Sequence, residues 1–269
     1  MIRTRALAAG AVLALAAVGL GAAPASAADT ATVSVLHAVP GVTVDVYANG
    51  QNLLSDFSPG TLTDPMSVPA GSYDLAVFPA GANPSSAKPA AEAHGVRVAA
   101  GANVTLVAHL GAQGKPTLDA FTNDVSAVPA GKARVTVRHV AAAPAVDVRA
   151  NGTPVITGLT NPDEKTLVAA AGTVKADVVL AGTNTVAIGP ADLSLAEGTT
   201  TVVYAWGSTS AGFKLAVQKL SGMSSAPSGV PAGSGGLVGD RLPATVAGLS
   251  VAGLLVAGTA GLRLATRTG

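Results

Sequence analysis

The chain has 269 residues, 49% apolar but only 3% aromatic and 12% charged, with a net charge of +1 and no cysteine. Without cysteine there is no disulfide framework, no thiolate metal site and no cysteine nucleophile, so folded domains in this chain must rest on apolar cores. Four of the sixteen basic residues (Arg3, Arg5, Arg263, Arg267) stand at the two ends, while all fifteen acids lie between residues 29 and 240; the resulting acidic body speaks against a nucleic-acid partner, which requires a basic surface.

The amino end begins with a short basic stretch to Arg5, continues in an apolar run from Ala6 to Gly21, and reaches small residues at Ala25-Ser26-Ala27. This order predicts a signal peptide over 1–27, cut between Ala27 and Ala28.

Beyond it, Val33, Val35 and His37 alternate with Ser34 and Leu36, the period of a strand. Val42, Val44 and Val46 alternate with Thr43, Asp45 and Tyr47 in a second strand, and Asn49-Gly50 then gives a hairpin signal, because both residues tolerate positive φ. Further strands are predicted at 61–68, 72–78, 95–99, 103–110 and 116–121, separated by turn residues at 69–71, 79–81 and 100–103. The pattern then returns. His37, the Val44-Asp45-Val46 triplet and Ala48-Asn49-Gly50 recur as His139, Val146-Asp147-Val148 and Ala150-Asn151-Gly152, each 102 residues on. A period of that size marks a duplicated domain. The prediction is therefore all-β, with two tandem antiparallel β-sandwiches of immunoglobulin or transthyretin type over 28–131 and 132–220. Surface charge differs between them: three basic and eight acidic residues in the first, eight and six in the second.

A strand leading into His-Ala-x-Pro, then Val-Asp-Val-Tyr-x-Asn-Gly, then V-P-A-G-S-Y-D-L-A-V-F-P-A-G at 68–81, resembles domain-of-unknown-function family 4397. The second copy is looser, with Arg149 in place of Tyr47 and Val-Leu-Ala-Gly (179–182) in place of Phe-Pro-Ala-Gly. The resemblance implies exported bacterial proteins, often with tandem copies, and a β-sandwich. It implies no catalytic residues.

Residues 221–241 are rich in Gly, Ser and Pro and read as a linker. Leu242-Pro243-Ala244-Thr245 follows, and Ala244 to Leu262 gives 19 uncharged residues before Arg263 and Arg267. A helix of that length spans about 28 Å, close to a bilayer core, and the arginines would keep its end cytoplasmic. The order of LPxT, apolar span and basic tail also resembles a sortase sorting signal, although Val246 stands where glycine is expected. Both a plain membrane anchor and cell-wall attachment remain open.

Few residues carry recognisable chemistry. His37 and His139 each precede an aspartate by eight positions. Both lie in phase with the apolar face of their strands, which favours buried histidines bonded to a loop carbonyl over a base or metal ligand. His94 and His109 have no acidic partner by spacing, and no catalytic motif or cofactor signature is present. Asp56, Asp64, Asp119 and Asp124 form no calcium loop and read as solvated. Tyr204 and Trp206 read as core. Tyr47, Asp45, Asp147 and Arg149 point away from the valine face and are the candidate ligand-binding residues. The expectation is an exported, surface-anchored, non-enzymatic protein that binds an envelope polymer or protein; the alternative is a structural spacer or coat component without a specific ligand.

Overall fold

A computed structural model of the protein describes residues 29–224. The expected signal peptide, most of the expected linker, the LPxT-like motif and the apolar span lie outside the described residues. Within them every regular element is a strand, and no helix is long and apolar enough to cross a membrane.

The first repeat contains β1 (Thr30–Ala38), β2 (Val44–Ala48), β3 (Gln51–Phe57), β4 (Met66–Pro69), β5 (Gly71–Pro79), β6 (Ala91–Val98), β7 (Asn103–Leu110) and β8 (Pro116–Thr122). The second contains β9 (Lys132–Ala142), β10 (Val146–Ala150), β11 (Thr153–Leu159), β12 (Glu164–Ala170), β13 (Gly172–Leu180), β14 (Val186–Leu195), β15 (Thr200–Ser208) and β16 (Gly212–Leu220). They form four sheets of four strands, in the orders β3-β2-β5-β6, β4-β1-β7-β8, β12-β9-β15-β16 and β11-β10-β13-β14. Each repeat is a sandwich of two of them.

The two hairpin signals form as their residue types demand. Asn49 and Gly50 take φ of 50° and 75°, and Asn151 and Gly152 take 50° and 80°, the left-handed pair that matches the twist of flanking strands. The strand after each turn, β3 and β11, had not been assigned in the sequence. Gln-Asn-Leu-Leu-Ser-Asp-Phe is mostly polar because β3 is an edge strand, and its alternation is broken where the register shifts between Val46 and Tyr47. The strand expected over 61–68 is reduced to β4, preceded by an isolated bridge between Leu36 and Leu62. Nor are the sandwiches wholly antiparallel. In each, the first and seventh strands run parallel, β1 with β7 and β9 with β15. Alternating apolar residues report which face is buried but carry no strand direction, so this pairing leaves no mark in the pattern.

Burial is distributed over three cores. Val33, Val35, Val46, Leu75, Val77 and Leu106 fill the first sandwich. Val135, Val137, Val148, Ile156, Val178 and Leu195 fill the second. A third cluster, including Leu36, Val107, Val140, Val202, Tyr204 and Trp206, lies between the sandwiches and draws on both repeats. It forms because the sheet holding β1 and β7 packs face to face with the sheet holding β9 and β15. These four strands are buried on both faces, and near-continuous burial of this kind belongs to sheets covered on both sides. The sequence reading placed one core in each repeat and did not foresee a shared one.

Most polar groups in the shared core are paired, several of them across it, while the Trp206 Nε1–H has no partner. Thr105 Oγ1 donates to Gln218 Oε1 (2.9 Å), and the Tyr204 hydroxyl donates to the same oxygen (2.7 Å). Arg138, almost wholly buried, donates from Nη1 to Tyr204 (2.8 Å) and from Nε to Glu164 (2.6 Å), with its guanidinium 4.6 Å above the Phe121 ring. Asn161 Nδ2 donates to Leu110 O (2.8 Å) and Ala141 O (2.6 Å), joining the repeats at one end. Arg134 pins the connecting segment through Asp124 and Ser126. Paired in this way, these side chains do not carry the desolvation cost of unmade bonds.

Candidate functional site

The histidines that open the repeats are structural. His37 is fully buried and its Nε2–H donates to Val42 O (2.7 Å), while Nδ1 accepts from the Val39 N–H (3.4 Å). His139 repeats the arrangement with Pro144 O (3.0 Å) and Ala141 N–H (3.4 Å). Burial pushes both imidazoles below their ordinary range. Each therefore fixes the loop between the first two strands of its sandwich as a neutral ring.

The two aspartates of the repeated motif also serve the backbone. Asp45 accepts from the Asp56 N–H (2.9 Å) and the Gly81 N–H (3.0 Å). Asp147 accepts from Gly158 (2.8 Å) and Gly182 (2.9 Å). The N–H groups of Gly182 and then Gly158 hold the Asp147 carboxyl below its usual range. Each carboxylate clasps the kink in the third strand to the turn after the fifth. Each carboxylate oxygen thus accepts one backbone N–H. Arg149 is likewise engaged. Its Nε and Nη2 meet the two Asp177 oxygens at 2.8 and 2.5 Å, and this contact raises the arginine and lowers the aspartate.

Tyr47 differs. It lies on the outer face of the first sandwich, edge-on to Phe78 with centroids 5.5 Å apart at 84°. The two rings, with Pro84, Asp74, Glu92 and His94, line a shallow depression of about 190 Å³. His94 stands between two carboxylates, 3.6 Å from Asp74 and 3.9 Å from Glu92, and all three side chains are more than half exposed. Asp74 is held in place by the Gly95 N–H (2.8 Å), while its own N–H donates to Asn49 Oδ1 (2.8 Å). The site is thus an aromatic floor with a fixed acidic wall.

Of the four candidates, the structure brings Tyr47 into a surface depression and sets Arg149, paired with Asp177, at the border of the second sandwich's interior. Phe78, Asp74, Glu92 and His94 were not anticipated. The signal for the first two was available, because both fall out of phase with Leu75 and Val77 on β5. Glu92, two residues before His94 on β6, was also legible as its neighbour. Tyr204 and Trp206 are buried as expected, but in the core between the sandwiches. Asp119, expected to be solvated, bonds His109 at 2.7 Å across the β7–β8 pair, so His109 does have an acidic partner. Asp124 bonds Arg134. Among the described residues no three His, Asp or Glu side chains are disposed to hold a metal ion.

Residues 31–149 match the family model described as a domain of unknown function, DUF4397. The DUF4397 match takes in the first sandwich, β9 and most of β10, and so contains Tyr47 and its depression as well as both histidines and Arg149. No curated protein matches the chain. By strand register, Tyr47, Ala76 and Phe78 correspond to Arg149, Asp177 and Val179. An ion pair in the second sandwich therefore stands where the first presents its aromatic floor.

Proposed function

We propose that the protein is an exported, non-enzymatic binding module of the cell envelope, and that the Tyr47 depression is its contact site. In this reading the signal peptide is removed after Ala27, and residues 242–269 hold the chain at the surface, either as a membrane helix or through the LPxT-like motif. The support is the pairing of an aromatic floor with Asp74 and Glu92 on a sandwich whose charges are mainly acidic. A ring face attracts a cation by its quadrupole, and neighbouring carboxylates strengthen that attraction. The ligand class is therefore an envelope polymer or protein that presents an amino or other cationic group.

The test is binding of the protein to isolated envelope fractions by co-sedimentation. Tyr47→Ala and Asp74→Asn should each weaken binding by roughly tenfold, the size of a partly desolvated cation–π or charge contact. Binding that both variants retain would refute the assignment. The shared core between the sandwiches favours the second reading, a rigid spacer without a ligand. That reading gains if wild-type protein binds no envelope fraction.

A further inference from the structure

The interior of the second sandwich is not filled. A void of about 130 Å³ is bordered by residues of all eight of its strands. Its walls are aliphatic, and the two charged residues on its border, Arg149 and Asp177, are bonded to each other. A buried water needs two to four polar partners, and none is offered here. Dry apolar cavities of comparable size, about 150 Å³, take up benzene or xenon.

Three of the void's lining positions differ in size between the repeats. By register, Val68, Tyr73 and Leu75 of the first sandwich correspond to Ala169, Val174 and Ala176 of the second, each smaller. All three of these smaller residues line the void. The first sandwich holds a void of about 130 Å³ as well, but β8 takes no part in it, and Tyr73 stands in its wall with its hydroxyl bonded to Pro69 O (2.6 Å). In the second sandwich Val155 both lines the void and is 41% exposed, so a route from solvent lies beside β11.

We propose that this void is a binding site for a small uncharged apolar molecule or the terminal segment of an acyl chain, entered beside β11. It is independent of the Tyr47 depression, which lies on the other sandwich. The occupant replaces the van der Waals contacts that the lining has lost.

The experiment uses n-hexane and octanoate as probes, with thermal unfolding and methyl NMR as readouts. Hexane should raise the wild-type midpoint and shift methyl signals of the lining residues, with signals of the first core left in place. Ala176→Leu restores the first repeat's residue and takes up part of the void. It should raise the midpoint without ligand and diminish both effects of hexane. Ala169→Val should do the same to a lesser degree and stands in if Ala176→Leu fails to fold. Binding of octanoate as well assigns acyl chains; binding of hexane alone upholds the site for neutral molecules. No response of the wild type to either probe, or an undiminished response in a folded void-filling variant, overturns the proposal.

Discussion

His37 and His139 show how a residue that resembles a catalytic candidate is turned to structural use. Each ring is buried as the neutral species, with Nε2–H given to a loop carbonyl. Burial is the leading cause of their lowered pKa. As pH falls through 6.5, the ordinary histidine value, the unfolded chain binds protons at these positions before the folded one does. Stability is therefore complete above that pH and is lost as pH drops below it. The unfolding midpoint should fall between pH 7 and pH 5, and replacing both histidines by glutamine should flatten that dependence. An acid limb of unchanged slope in the double variant would show that other groups carry it.

At the scale of elements, what the chain pattern reveals depends on how each strand is buried. β2 and β5 could be read because one face is apolar and the other polar. β3 could not, since it lies at a sheet edge with a bulge and has little apolar content to display. The parallel pairing of β1 with β7 was hidden for a different reason, as residue type does not report direction. The Tyr47 site was half legible: alternation put Tyr47 on the outer face, but its partners come from β5, β6 and the loop between them. Only the fold sets them side by side. Gly60 illustrates a constraint visible in three dimensions alone. It has φ of +84°, and a Cβ there would lie 3.0 Å from the Trp206 ring of the other repeat. Gly60→Ala combines backbone strain with a displaced ring, and should lower stability by about 1–2 kcal/mol in denaturant titrations. A change within a few tenths of a kcal/mol would mean that the loop and ring move apart without cost.

For the whole molecule, the decisive feature is the core between the sandwiches. Two sandwiches that met only through a linker would unfold separately. Here Arg138, Tyr204, Gln218 and Thr105 form a buried chain of hydrogen bonds that reaches from the second repeat into the first. Calorimetry should therefore show one cooperative transition for residues 29–224. Arg138→Ala leaves Tyr204 and Glu164 without their partner and opens a cavity beneath Phe121, at a cost of about 3 kcal/mol. Two resolved transitions in the unsubstituted protein would contradict this coupling.

The face-to-face packing of equivalent sheets also bears on stoichiometry. The same surface of each repeat is used, as in a two-fold symmetric dimer, yet equivalent positions hold different residues: Leu36 and Arg138, Val107 and Tyr204, His109 and Trp206. Each face is fitted to the other and not to itself. One polypeptide thus carries both halves of a heterodimer, joined by a short connection that keeps their effective concentration high. Assembly takes place within a single molecule, always in a one-to-one ratio, and dilution does not undo it.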